Sequence, residues 1–324
     1  MNRITTWSSH LEFDNDPIPE WWHTTLDSLA KIQPFGNGRV YLGLAFDMFS
    51  LPRHTVVGLW EKCRRLGLNL ITTHYVAGAM TNSVKLLFEY GLLKKDVLFS
   101  HATQISESDA KTLVEHGVFI STTPDTELQM GLGECVAFRK DIMCNASFGV
   151  DCHANNSSDI LTQIRLGMQH ARGIENVKAL ENGHNPAVQI KLEEAFNLGT
   201  IQGAKAIHME NQIGSIAEGK LADIVVFDAR TPAMVCAAEQ NPLAAILLHG
   251  SIRDIDMVIV DGMIRKQDKR LCSVSVLDGP NGKAVRSFDW DQVAEKLLES
   301  RRKINERSQS QNREAAIQSL HKFF

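Results

Sequence analysis

Apolar runs of five to seven residues alternate with amphipathic runs from about residue 36 to residue 172, and the connections between them are short. Strands buried on both faces are apolar throughout, so this alternation predicts parallel βα units. The candidate strands are residues 40–46, 69–74, 97–101, 118–122 and 147–151. We therefore expect an α/β protein built on a parallel sheet.

The segments between the candidate strands place apolar residues at helical spacing. Two of these segments end at Gly67 and Gly91, and glycine readily adopts the left-handed conformation that ends many helices. A third segment begins at Ser106, with Asp109 three residues later in the pattern of a capping box. A fourth helix is predicted over about residues 157–172, after the last candidate strand.

Three candidate strands carry a polar residue at or just after the carboxyl end: His74, His101 and Asp151. Parallel sheets assemble their active sites at this edge. Imidazole nitrogens and carboxylate oxygens bind divalent metals, and a bound metal lowers the pKa of a water molecule to about 7. The alternative is that each residue is a hydrogen-bonded structural side chain.

The pattern changes after residue 204, where short apolar runs are separated by glycine-containing turns. Such runs predict a small β appendage. Residues 290–324 are charged and helix-prone, which is typical of a solvated helix or a loose tail. We expect a barrel part over residues 1–205, a partial β-sandwich over 206–280 and a helical tail over 281–324.

Composition narrows the functional classes. The 324 residues are 44% hydrophobic and 22% charged, as in ordinary globular proteins, and the net charge of -4 is spread along the chain. We therefore expect neither a nucleic-acid partner nor a membrane partner. The six cysteines form no CxxC pair, which favours the reducing cytoplasm.

Several segments, in this order, resemble strands five to eight of barrels of the amidohydrolase superfamily, within its deaminase and chlorohydrolase branch. They are TTHYVAG, FSHATQIS, ISTTPDTELQMG and FGVDCHANNSSDILTQIRLGMQHAR. The later run EGKLADIVVFD is similar to the glycine-lysine-x-alanine-aspartate signature that leads into the β-sandwich of this superfamily. The resemblance implies a TIM-like (β/α) barrel, here incomplete, with a partial β-sandwich.

The resemblance also implies roles for the residues at the strand ends. His74 is expected to bind the metal, His101 to bind the metal or the substrate, and Asp151 to be both a ligand and the proton shuttle. The expected metal is Zn²⁺, with Fe²⁺ as the alternative. The implied reaction is hydrolysis of a carbon-nitrogen bond, other than a peptide bond, in a small cyclic or heteroaromatic molecule. Displacement of chloride or another leaving group is the alternative.

Two departures from the family pattern limit this expectation. Ala77 stands where the deaminase branch carries a glutamate three residues after the strand-five histidine, which argues against classical aminopurine or aminopyrimidine deamination. The twelve histidines also include no His-x-His pair, so we expect an N-terminal truncation. A non-catalytic protein is therefore a second hypothesis, and an open sheet edge predicts a possible homo-oligomer.

Further residues near the predicted site are candidates for substrate binding. They are His153, Asn155, Asn156, Tyr75 and Gln129. Loop formation, aromatic packing and solvation are the simpler interpretations of these side chains. Cys152, beside Asp151, is expected to be a buried structural thiol rather than a nucleophile.

Overall fold

The structure is a computed structural model that describes residues 4–7, 11–13, 18–78, 80, 82–309 and 312–321. The chain divides into two compact units. One consists of Gly43–Glu61 and Asn69–Arg270, and the other of Met1–Leu42, Lys62–Leu68 and Leu271–Phe324. The predicted domain boundaries at residues 205 and 280 stay predictions.

Strands and helices alternate through much of the chain. The strands are β1 Ile4–Trp7, β2 Leu11–Phe13, β3 Leu44–Ala45, β4 Ile71–Tyr75, β5 Val97–His101, β6 Phe119–Thr122, β7 Ala146–Phe148, β8 Ile224–Phe227, β9 Ile255–Val260, β10 Met263–Gln267, β11 Arg270–Leu271, β12 Val274–Leu277 and β13 Ala284–Phe288. The helices are α1 Glu20–Ile32, α2 Arg53–Arg65, α3 Ser83–Glu89, α4 Glu107–Glu115, α5 Pro124–Gln129, α6 Ile160–Glu181, α7 Leu192–Leu198, α8 Ile201–Ala206, α9 Val235–Gln240, α10 Pro242–Ala244, α11 Trp290–Ser308 and α12 Arg313–His321.

The larger unit is built on a five-stranded sheet in the order β3-β4-β5-β6-β7, with every neighbouring pair parallel. The strands follow one another along the chain and in the sheet, as expected for βα units. Ile71, Val97, Phe99 and Ile120 are fully buried and form the centre of this sheet. The α/β fold with a parallel sheet predicted from the apolar runs is confirmed.

The first candidate strand is much shorter than predicted. Only Leu44–Ala45 pairs with β4, whereas Val40 forms an isolated bridge with Phe35. Gly36 and Gly38 have positive φ angles, so the chain turns back on itself between the two bridge partners. Because Val40 pairs with Phe35 in this local turn, the first residues of the predicted strand 40–46 are not part of the sheet.

The predicted helix starts are partly confirmed. Ser106 Oγ accepts a hydrogen bond from the backbone N–H of Asp109 at 3.0 Å and is the N-cap of α4. The Asp109 carboxylate accepts from the Tyr75 hydroxyl at 3.2 Å, so it contacts β4 rather than closing a capping box. The helix after β7 extends over Ile160–Glu181, about nine residues further than predicted.

The predicted short strands after residue 204 are confirmed as an antiparallel sheet. β9 pairs with β8 on one side and with β10 on the other. The turn between β9 and β10 contains Gly262 at a φ of 74°, a conformation that favours glycine.

The smaller unit contains a hairpin, β12 with β13, followed by α11. Asp289 caps α11 through a reciprocal capping box with Gln292. No residue of α11 is buried, in agreement with the prediction of a solvated helix. Within the described residues, no helix combines the length and apolar character needed to cross a bilayer.

The buried sheet predicts a contrast between two phenylalanines. We expect Phe99→Ala to lower the free energy of unfolding by about 3–5 kcal/mol, because Phe99 is fully buried in β5. Phe88→Ala is the matched control, since Phe88 is 54% exposed on α3, and should cost only about 0.5 kcal/mol. Chemical denaturation measures both values, and equal losses would contradict this assignment of the core.

Candidate active site

The register of β4 and β5 brings two histidines to the same edge of the sheet. His74 lies opposite Ser100, and Tyr75 lies opposite His101. In regular paired strands, opposite residues point to the same face, so His101 would follow Tyr75 away from His74. Instead, the φ of His101 is +69°, and its ring stacks on that of His74 with centroids 5.6 Å apart and planes 27° apart.

His74 is held by the carboxylate of Asp47, which lies two residues after β3. Asp47 Oδ2 accepts from the ring Nδ1 of His74 at 2.7 Å. Asp47 Oδ1 accepts from the backbone N–H of His74 at 2.8 Å and from the Thr73 hydroxyl at 3.0 Å. One carboxylate therefore fixes both the main chain and the side chain of His74.

The protonation of this pair follows from its contacts. Burial raises the pKa of Asp47, but its hydrogen bonds to His74 and Thr73 outweigh burial and leave the pKa below its usual value. The hydrogen bond to Asp47 raises the pKa of His74, burial opposes it, and the charges of Asp47 and Asp151 add to the increase. Asp151 is therefore close enough to act on His74 through its charge.

His101 is held by residues that begin α5. Its Nδ1 lies 2.9 Å from Thr123 Oγ1 and 3.5 Å from Glu127 Oε1. Glu127 Oε1 also accepts from the backbone N–H of Thr123 at 2.7 Å. His101 is 4% exposed, so this hydrogen bonding orients its ring within a closely packed environment.

Glu127 is a carboxyl group with no solvent exposure. Burial raises the pKa of Glu127, although its hydrogen bonds to His101 and Thr123 oppose that effect. Within the described residues, its Oε2 is buried without a hydrogen-bond partner. Burying a carboxyl oxygen without a hydrogen-bond partner is costly, so Glu127 is a strained element of the site.

Asp151 follows β7 in an exposed position, with a φ of +64°. Left-handed φ angles in residues other than glycine cost about 1–3 kcal/mol and concentrate at functional sites. His101 at the end of β5 and Asp151, three residues after β7, both carry this strain. An exposed carboxylate can change its rotamer without disturbing the core.

The donor types at this edge fit a divalent cation. Both imidazoles are held through Nδ1. The Asp47 carboxylate accepts from His74 Nδ1, which leaves His74 Nε2 as an acceptor in the carboxylate–histidine pattern of metal sites. The Thr123 hydroxyl at His101 Nδ1 can donate or accept, so it orients the His101 ring without fixing its tautomer. The number of donors is smaller than a catalytic zinc requires. Among the described residues, no three His, Cys, Asp or Glu side chains are positioned to hold a metal.

The loop residues predicted to bind substrate lie beyond Asp151. The exposed His153 ring Nδ1 is 3.0 Å from Ser158 Oγ. Gln129 Nε2 donates to the backbone oxygen of Asn155 at 2.7 Å, and Asn156 Nδ2 donates to Thr126 Oγ1 at 3.1 Å. These contacts tie the loop to α5, and the substrate-binding roles stay predictions.

Tyr75 and Ala77 flank the chain after His74. Tyr75 is 2% exposed, its ring packs edge-on against Phe99, and burial first, then the charge of Asp109, raises its pKa to about 12. Its contacts are those of a packed aromatic, and a role in substrate binding stays a prediction. The Ala77 backbone N–H donates to Thr103 Oγ1 at 3.2 Å.

The sequence analysis did not identify Asp47, Thr123 or Glu127. Asp47 follows a candidate strand just as Asp151 does, so the same rule applied to residues 40–46 would have found it. Thr123 likewise follows β6 directly. No pattern in the sequence distinguishes Glu127, because its burial depends on how α5 packs against α6.

One expectation about cysteine is wrong. Cys152 is exposed rather than buried, because it lies with Asp151 in the loop after β7 and packs into no core. Cys135 is buried, and burial raises its pKa to about 12. The inert thiol near the site is therefore Cys135.

The profile of the amidohydrolase family matches residues 65–265, more than half of the 324 residues, and the chain belongs to that family. A 5-methylthioadenosine/S-adenosylhomocysteine deaminase of Pyrococcus horikoshii is 32% identical over 219 residues, which are 66% of this chain and 45% of the relative. The chain thus spans about half the length of the curated relatives it matches.

Solved structures share the fold. An atrazine chlorohydrolase from Arthrobacter aurescens TC1, complexed with zinc, has a TM-score of 0.66 at 17% identity and covers 82% of this chain and 61% of its own. An adenosine deaminase from Xanthomonas campestris with bound zinc has a TM-score of 0.56 at 20% identity, over 68% and 51% of the two chains. The α/β, TIM-like fold expected from the sequence is confirmed.

The exposure of the cysteines predicts a labelling pattern. Brief treatment of the folded protein with iodoacetamide near pH 8 should alkylate Cys152 but not Cys135, because only an accessible thiolate reacts and the Cys135 pKa is about 12. Peptide mass spectrometry measures the extent at each residue. Labelling in denaturant is the control that both peptides are detected, and rapid native labelling of Cys135 would contradict its placement.

Proposed function

We propose that this chain contributes to a metal-dependent hydrolase that cleaves a carbon-nitrogen bond, other than a peptide bond, in a small cyclic or heteroaromatic molecule. The observation that carries the proposal is the stacked pair His74 and His101, each held through Nδ1 by an oxygen atom. Two fixed imidazoles beside a carboxylate at the carboxyl edge of a parallel sheet suit metal-assisted hydrolysis.

His74, His101 and Asp151 are the residues that would hold the metal. Zinc is the first candidate, supported by the zinc present in the solved relatives, and Fe²⁺ is the alternative. When bound, a divalent cation supplies a water molecule of lowered pKa. The stacking of the two imidazoles supports this set of residues, and the exposed Asp151 carboxylate would join them by a change of rotamer.

The chain's own residues have distinct roles in this proposal. Asp151 accepts the proton of the attacking water and passes it to the leaving nitrogen. Asp47 keeps His74 in place, and Thr123 with Glu127 keeps His101 in place. The loop residues His153, Asn155 and Asn156, together with Gln129, would contact the substrate from above the sheet edge.

A second candidate reaction is displacement of chloride from a heteroaromatic ring. The fold is shared with an atrazine chlorohydrolase, and Ala77 provides no acid to protonate a ring nitrogen. The curated relatives are named as deaminases of adenine-containing compounds, which favours C–N hydrolysis.

Two further parts of the proposal concern the setting of the protein. The cytoplasm is the proposed compartment, supported by six cysteines that are all in the thiol form in the described structure.

We also propose self-association through the edges of the parallel sheet at β3 or β7, because an open strand edge offers unpaired backbone groups.

Asp151→Asn should strongly reduce turnover. The purified chain, supplied with zinc, is tested with 5-methylthioadenosine and with atrazine while ammonia and chloride are measured in the same samples. Loss of the proton acceptor should lower the rate by about 10²–10⁴-fold, with circular dichroism showing an unchanged fold. Asp291→Asn, an exposed carboxylate on α11, is the control and should retain full activity.

The products separate the alternatives. Ammonia release supports C–N hydrolysis, and chloride release alone supports the second candidate. Undiminished turnover in Asp151→Asn would contradict the role of Asp151. Absence of turnover across a panel of aminopurines, aminopyrimidines and triazines would contradict the activity of this chain and favour a non-catalytic protein.

A further inference from the structure

We infer that Asp47 is a positioning residue that fixes His74 in the Nδ1–H tautomer and so presents its Nε2 to the site as an acceptor. This inference rests on the proposed function in one respect only, namely that a metal is what the lone pair of Nε2 would bind. The tautomer itself is a property of the hydrogen bonding around His74.

The contacts of Asp47 leave little choice of proton position. Aspartate is ionised at neutral pH and its carboxylate only accepts hydrogen bonds, as Asp47 Oδ1 does from the backbone N–H of His74 and from the Thr73 hydroxyl. The 2.7 Å contact between Asp47 Oδ2 and His74 Nδ1 therefore places a proton on Nδ1. In a neutral imidazole the other nitrogen, Nε2, then carries the lone pair.

The same contacts predict the effect of an isosteric substitution. Asp47 Oδ1 accepts from the backbone N–H of His74, which is only ever a donor. In Asp47→Asn the amide oxygen must occupy this position, so the amide nitrogen takes the place of Oδ2 and faces His74 Nδ1. The Nδ1 atom must then accept, and the ring proton moves to Nε2.

The geometry also links β3 to β4. Asp47 lies two residues after β3, and it bonds to the backbone of His74 and to the hydroxyl of Thr73 on β4. The His74 ring thus takes its orientation from the neighbouring strand. This arrangement matches metal-binding histidines, whose second nitrogen commonly donates to a carboxylate.

The test is the tautomer of His74 observed by ¹⁵N NMR on histidine-labelled protein at about pH 9, above the ordinary histidine pKa of about 6.5. The His74→Gln variant identifies the signals of His74. Wild-type protein should show a protonated Nδ1 and an unprotonated Nε2, and Asp47→Asn should show the reverse. Thr73→Val is the control, because it removes one bond to Asp47 Oδ1 and leaves the carboxylate facing Nδ1.

Two results would overturn the inference: a wild-type His74 protonated on Nε2, or an Asp47→Asn variant that keeps the wild-type tautomer. The wild-type spectrum decides the question even if the variant does not fold.

Zinc titration of the same proteins separates this inference from the proposed function. Asp47→Asn should bind zinc about 10–100-fold more weakly than wild type, whereas Thr73→Val should bind with nearly wild-type affinity. If the tautomers change as expected but wild-type protein binds no zinc, the metal-dependent function fails while the role of Asp47 is supported. Equal zinc affinity in wild type and Asp47→Asn would contradict the claim that Asp47 positions His74 to bind the metal.

Discussion

His101 ends β5 with a left-handed φ of +69°, a conformation that costs a residue other than glycine about 1–3 kcal/mol. Without it, strand alternation would turn the His101 side chain to the face that Tyr75 occupies. The hydrogen bonding of His101 to Thr123 and its burial offset this cost. The stacking of His101 on His74 depends on this backbone conformation.

Oxygen atoms from both sides then orient the two rings. Asp47 reaches His74 from the strand before it, and Thr123 reaches His101 from the strand after it. Both contacts use Nδ1, and the carboxylate of Asp47 leaves the Nε2 of His74 as an acceptor. Glu127 supports Thr123 from the interior, where its unpartnered oxygen is costly. The site is thus organised by the supporting residues as much as by the candidate ligands.

The sequence was sufficient to predict the parallel strands and the three polar residues at their ends, because each buried strand is a continuous apolar run. The same strand-end rule, applied to residues 40–46, would also have found Asp47, but the local turn at residues 35–40 that shortens this strand to Leu44–Ala45 was not predicted. The positive φ of His101 accompanies a contact with Thr123, 22 residues away, and neither is encoded in the local sequence pattern. The roles of ligand and proton shuttle came from family resemblance and remain proposals.

Metal content tests the central claim most directly, because it requires no knowledge of the substrate. The purified chain is loaded with zinc, dialysed and measured by elemental analysis, beside a His74→Ala, Asp151→Asn double variant treated in the same way. The account predicts close to stoichiometric zinc in the wild-type chain and its loss in the double variant. No retained zinc in the wild-type chain, or equal zinc in both proteins, would contradict it.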